Sequence, residues 1–302
     1  MRSAGTLPDA ARDRDRSTGV WDTVMEKPDM IRREDLRESL DRLYRTYNRR
    51  SYIGTDPLVY LYDFDRTGDR ELVALVASSL AFGTVKQIMR SIESVLRVLG
   101  DSPVDFIMNC SPRKLGNILP GFKHRWARGR DLSRLLLGAR GVIETHGSLE
   151  KCFIAAYESS HRDIVPALTA FTAEIARGGG GYTGCLLPSP RGGSACKRLN
   201  LFLRWMVRRD EVDPGGWSGI PAAKLIVPLD IHMYRWSRAF GFTERRRADL
   251  KAAREVTDAF REIAPDDPVK YDFTLTRIGM AGGGESETGI DRPGIGRTEL
   301  IH

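Results

Sequence analysis

Residues 71–99 read ELVALVASSLAFGTVKQIMRSIESVLRVL, the most apolar stretch of the chain. Leu72, Val73, Leu75, Val76 and Leu80 precede a break at Gly83, and Ile88, Ile92, Val95 and Leu96 follow it at helical spacing. Such intervals lay a stripe along one side of a helix, whereas a half-buried strand would alternate. The segment therefore predicts two helices folded back at the glycine.

The same period recurs in both directions. Leu36, Leu40, Leu43 and Tyr44 share one face of a first helix, followed by a turn at 54–57. Further helices are expected over 131–145, 149–159, 164–177, 197–208, 231–240 and 247–263. No stretch alternates as a strand and no fixed-period repeat is present, so the predicted class is all-α. Residues 1–30 are polar, charge-alternating and broken by Pro8 and Pro28; they read as a disordered leader. The Gly-rich 281–302, AGGGESETGIDRPGIGRTELIH, reads as a disordered tail. A helical domain over 31–280 lies between them.

The chain has 302 residues, 41% of them hydrophobic and 29% charged, enough for one large or two modest cores. Its net charge of +7 suits a polyanionic partner, although many basic proteins bind none. Only nine of the 47 basic side chains are lysines, which leaves few candidates for an amine nucleophile. Cys110, Cys152, Cys185 and Cys196 are scattered without a CxxC, a pattern that matches neither a zinc site nor a disulfide framework. No metal, cofactor or protein partner is inferred. No apolar run reaches membrane-spanning length and no signal-peptide core is present, so a cytoplasmic protein is expected.

Two breaker-rich loops, 178–194 and 213–228, flank the helix that starts near Lys197, and sites often sit beside such loops. In GGSACKRLNLFLRWMV (192–207), Ser194 is a candidate N-cap that would make Lys197 the third helical residue. Unpaired N–H groups in a first turn disfavour a cation, which favours an amine used as a nucleophile. A surface lysine whose stem reaches away from the helix end is the competing reading. In VPLDIHMYRWSRAFGF (227–242), Asp230 is placed to cap the helix after Pro228. It can also act chemically, because a capping carboxylate has a second oxygen to present to a cleft. His232 and Arg235 share one helical face, suited to a phosphate or simply solvated. A third cluster, PRKLGNILPGFKHRWARGRD (112–131), gathers Lys114, Lys123, His124, Arg125, Arg128 and Arg130 around Trp126. It reads as a surface for a nucleic-acid backbone, through Lys123 and Arg125, or as a solvated turn.

Pro228-Leu229-Asp230-Ile231-His232 resembles the P-[LV]-D-x-H signature of the helix-hairpin-helix DNA glycosylases, and residues 71–98 resemble the first core helices of that superfamily. The likeness covers about 57–280. It implies a catalytic Asp230, His232 near the DNA backbone, and Lys197 in the place of the lysine that forms a Schiff base in bifunctional members. It implies two helical lobes, about 57–180 and about 31–56 with 190–280, holding Lys197 and Asp230 across a cleft. The 33 residues from Lys197 to Asp230 are similar to the spacing of archaeal 8-oxoguanine DNA glycosylases. The chain also resembles an uncharacterised bacterial family carrying S-A-C-K-R-L-N-x-F-L-R-W-M-V-R, P-L-D and D-P-V-K-Y-D-F. The usual Leu-Pro-Gly-Val-Gly-like hairpin is absent, and LLPSPRGGSACK stands there instead, with Gly192 and Gly193 as candidate phosphate-gripping amides. The four-cysteine iron–sulfur motif is absent too.

The activity so implied is excision of a damaged base, an oxidised purine on the archaeal comparison, from double-stranded DNA, with or without strand cleavage. A flipped base needs aromatics to receive it. Trp217, in a Gly/Pro loop between the catalytic elements, and Phe273 are the candidates, while core packing is the expected role of Trp205 and Phe82. A scaffold that binds damaged DNA or RNA without chemistry is the alternative, and a hydrolase of free nucleosides is a third.

Overall fold

The computed structural model describes residues 33–181 and 184–282. The leader at 1–30 and all but the first two residues of the expected tail lie outside them. The described chain is helical as expected, with one regular strand pair among its described residues, Lys123–His124 (β1) against Ala127–Arg128 (β2).

Thr67–Ser79 (α2) is the centre of the molecule. It is buried on nearly every side, from Asp69 through Ser79, as a helix apolar all round must be. Gly83, at φ 107°, makes the predicted bend, and Thr84 caps Val85–Leu99 (α3) by accepting from the Gln87 N–H. Around this pair pack Pro103–Asn109 (α4), Pro112–Leu115 (α5), Gly129–His146 (α6), Leu149–Ile154 (α7) and Val165–Gly178 (α8). The helix expected over 149–159 is thus shorter, and α4 and α5 were not foreseen at all.

The α6–α8 crossing is a contact of backbones. A Cβ on Gly138 would overlap the Ile175 carbonyl oxygen, and one on Gly178 would stand 3.0 Å from the Gly138 carbonyl oxygen. Glycine is required there by space and not by dihedral angle.

Lys197–Val207 (α9) lies against α2, and Ile231–Ala239 (α10), Leu250–Ile263 (α11) and Asp272–Gly282 (α12) come after it. Arg33–Tyr47 (α1) buries Leu36, Leu40 and Leu43 and packs on the chain's other end. There Asp41 accepts from Lys270 Nζ at 2.6 Å and from the Tyr271 hydroxyl at 2.8 Å. Buried apolar side chains from Leu36 to Leu275 form one continuous cluster. Among the described residues no helix is long and apolar enough to cross a membrane.

A buried ion network fastens α9 to the loop beyond its C-terminus and to α12. Arg204 and Arg208, one turn apart, both reach Asp213, which is fully buried. Arg204 also pairs with Asp272, and Arg208 with Asp267 and Asp210, each of the latter at 2.9 Å. Tyr44 of α1 donates to Asp210 at 2.9 Å. Burying charges this deeply is tolerable only where each finds a partner.

Candidate functional site

The chain reaches Lys197 through an uncommon backbone. Cys196 is the N-cap, in the left-handed region at φ 46°, ψ 40°, and its side chain makes no capping bond. Ser194 is therefore not the cap that its residue type suggests. Its Oγ accepts from the Cys196 N–H at 3.2 Å instead, and Lys197 is the first helical residue and not the third. Asn200 steadies the turn by donating to the Ala195 carbonyl at 2.8 Å. The preceding loop is tied to the start of α11, where the Leu250 N–H donates to the Gly193 carbonyl at 2.9 Å.

Asp230 caps α10 with one oxygen. Its Oδ1 accepts from the His232 and Met233 N–H groups at 2.9 and 2.8 Å. The other oxygen, Oδ2, faces Lys197 Nζ at 3.7 Å. Both side chains are accessible, Lys197 at 32% and Asp230 at 15%. The two helix N-termini thus converge on one point, with the amine and the carboxylate between them.

That point lies in a cleft of about 590 Å³. Phe82 and Arg198 form part of one wall, Ile231 and His232 part of another, and Arg204, Asp272 and Phe273 line the interior. Burial pushes the Asp272 carboxyl up to about 6 against the pull of Arg204, and the neighbouring charge of Asp230 adds to the rise. The cleft therefore holds, beside its accessible lysine and aspartate, a buried carboxyl whose affinity for a proton is raised.

Of the other residues singled out from sequence, His232 is half-buried at the cleft and packs on α12. A Cβ on Gly279 would stand 2.9 Å from its Nδ1. Arg235 is exposed on the same helix. Gly192 and Gly193 are exposed in the loop before α9, with the Gly193 carbonyl engaged by Leu250. Phe273 lines the cleft but is 2% exposed, with the Arg277 guanidinium carbon 4.9 Å from its ring centre.

Trp217 requires a correction. It is 5% exposed, lies against Phe153 and Phe202, and donates through Nε1 to Glu71 at 2.7 Å. It does not line the cleft. The glycines around it let the loop dive into the core rather than present the indole to solvent. Trp205, 1% exposed, is buried as expected, whereas Phe82 is half-buried and reaches the cleft wall.

Lys123 and Arg125 stand apart from the lysine–aspartate pair, on the β1–β2 hairpin. Arg125 sits in its turn at φ 54°, and both side chains are exposed. Between them His124 is buried. Its Nε2 donates to the Phe82 carbonyl at 2.8 Å, which leaves Nδ1 to accept from Ser91 Oγ at 2.9 Å. Burial lowers the ring's affinity for a second proton, in keeping with this neutral tautomer.

Sequence reasoning missed Asp272 and Arg204 as cleft residues, because their pairing joins positions 68 apart. It also missed Arg277, which lines the cleft while bonded to Asp56. Among the described residues no group of three His, Cys, Asp or Glu side chains is placed to hold a metal ion.

A family model described as "Protein of unknown function (DUF2400)" matches residues 56–281. No curated protein and no solved structure matches the chain.

Proposed function

The chain belongs to the DUF2400 family, and we propose that it is a DNA N-glycosylase that attacks the sugar of a damaged nucleotide with Lys197, assisted by Asp230. The observation that carries this reading is the 3.7 Å approach of Lys197 Nζ to the free oxygen of a helix-capping aspartate, in a cleft large enough for a nucleobase and its sugar. The likeness of Pro228–His232 to the glycosylase signature supports it, as does the +7 net charge. On this reading the helices on either side of the cleft act as two lobes that grip a duplex between them.

The chemistry follows from the pair. Nζ must be neutral to attack, and closing the 3.7 Å gap to Asp230 Oδ2 lets the carboxylate accept its proton. Nζ bonds to C1′ as the C1′–N bond to the base breaks, and the base leaves with the bonding pair and takes up a proton. Positive charge that builds on the sugar before the new bond is complete is stabilised by the carboxylate in a water-poor cleft. Opening of the sugar ring gives an iminium. Loss of a C2′ proton then expels the 3′ phosphate, and water finally releases the lysine. An oxidised purine is the substrate class we favour.

Borohydride trapping on duplexes carrying 8-oxoguanine, uracil, an alkylated base or an abasic site tests the proposal. We expect a covalent adduct on one lesion, lost in Lys197→Gln. An adduct on abasic DNA alone would reduce the claim to lyase chemistry. No adduct and no base release on any lesion, with binding intact in Lys197→Gln, would leave a binding module and sink the enzyme.

A further inference from the structure

Trp126 has no role in the lysine–aspartate chemistry, yet it stands out on the surface. At the tip of the hairpin it is 60% exposed, the most exposed of the chain's described large hydrophobic side chains. An indole turned to water on a two-residue hairpin contributes little to the core, and its exposure costs solubility.

The indole is also held firmly. Its ring lies on Phe82, with centroids 5.2 Å apart and planes at 22°. Phe82 is braced in turn by the Arg198 guanidinium, 4.7 Å from its ring centre, and by the edge of His124 at 4.5 Å. Arg198 is fixed to the Ser79 carbonyl at 2.6 Å and to that of Cys185. The hairpin is locked by the two bonds of His124, and Arg125 packs against Gly83, where a Cβ would stand 3.2 Å from its Cδ. The result is a column of cation, ring and ring, running from the residue beside Lys197 out to the Trp126 indole, over whose ring the Arg125 guanidinium carbon also stands, 4.9 Å from the centre. Phe82 and Arg198 line the cleft, so Trp126 lies one ring outside it.

The surroundings of the indole are cationic. Lys123, Arg125, Arg128 and Arg130 are all exposed, and the one acidic side chain between 112 and 131, Asp131, is used to cap α6. A flat aromatic surface among four cations fits a ligand that is itself flat and polyanionic. We propose that Trp126 seats an unpaired DNA nucleobase at the mouth of the cleft, with the surrounding cations on its phosphates. The inference rests on the DNA-binding part of the proposed function and not on its chemistry. A base inside intact duplex has both faces covered by its neighbours, so the seat selects unpaired bases. Because the indole is already fixed, stacking on it sacrifices little side-chain freedom.

The test uses the full chain, a labelled single-stranded oligothymidylate and a fully paired, blunt-ended duplex without a loop. Wild type should bind the single strand with quenching of its tryptophan emission. Trp126→Ala should weaken single-strand binding by roughly tenfold, as loss of one stacking platform does, and leave duplex binding within about twofold. Trp126→Phe should keep most of the affinity and lose the quenching, which also shows that an altered residue 126 is compatible with the fold. Equal single-strand affinity for Trp126→Ala and wild type, or quenching that persists in Trp126→Phe, would overturn the seat. So would a wild type that binds neither probe, and the DNA partner would fall with it. Setting this series beside borohydride trapping of the wild-type protein separates the two ideas. Trp126-dependent binding without any trapped adduct keeps the seat and removes the enzyme, whereas trapping with Trp126-independent binding does the reverse.

Discussion

Asp230 divides its carboxylate between two tasks, and substitution can separate them. Asparagine keeps an oxygen for the His232 and Met233 N–H groups and removes the charge beside Lys197. Alanine removes both. Asp230→Ala should therefore lose about 1 kcal/mol of stability, the usual worth of a cap, and Asp230→Asn should lose much less. Both should abolish base release if the proposed chemistry is right. Urea denaturation run beside the trapping assay measures the two effects, and equal stability losses would show that the cap is not what Oδ1 supplies.

A second residue gives the fold a dependence on pH. Burial pushes the Glu71 carboxyl up to about 7 from its ordinary 4.5, against the N–H donors of Leu149, Glu150 and Trp217. Between those values the folded state holds a proton that the unfolded chain has already released. The contribution of Glu71 is thus most favourable on the acid side and falls as pH rises through the window, by at most about 1.4 kcal/mol per pH unit. Glu71→Gln has no such proton, so the stability difference between wild type and variant should shrink from pH 5 to pH 7. Parallel stability curves would rule this out. The cap at Asp230 was legible because a carboxylate after proline and before an apolar face has few other uses. Cys196 was not: a left-handed cysteine has no sequence signal, and a serine two residues earlier advertised the cap instead.

At the scale of elements, helical periodicity carried most of the reading, because a stripe of apolar side chains is visible over a dozen residues. The β1–β2 hairpin was invisible for the opposite reason. Two residues per strand cannot alternate, and its turn uses Arg125 at positive φ where glycine or asparagine would have been the cue. The α6–α8 crossing is of the same kind, since a glycine in a helix reads as a weak point until the partner backbone is seen. Gly138→Ala tests it: the helix itself should gain, since alanine is the better helix former, but the added methyl meets the Ile175 carbonyl. We expect a net loss of about 1 to 3 kcal/mol, as overpacked cores show. A neutral or stabilising result in thermal unfolding would mean that the helices can separate at little cost.

For the whole molecule, the element that presents Lys197 is also the one that the buried ion network fastens to the rest. Arg204 stands on α9 and Arg208 caps its C-terminus one turn later. Their partners lie between 2 and 68 residues away, too dispersed for any local pattern to expose. Arg208→Met should cost about 3 to 5 kcal/mol, because Asp213, Asp210 and Asp267 lose a shared partner inside the protein. One core joins the chain from Leu36 to Leu275, so the loss should lower the midpoint of a single unfolding transition. A separate early transition would show that α9 can let go by itself.

The network also imposes an order in time. A chain emerging from the ribosome at about 5–20 residues per second exposes Arg204 and Arg208 seconds before Asp267 and Asp272 exist to receive them. The helix at the other end waits longer still, since Asp41 has no Lys270 or Tyr271 to dock on until the last stretch is made. The nascent protein must therefore carry α1 undocked through most of its synthesis, and two arginines incompletely paired until the stretch that holds Asp267 and Asp272 is made. The walls of the cleft come together only when the final helix arrives.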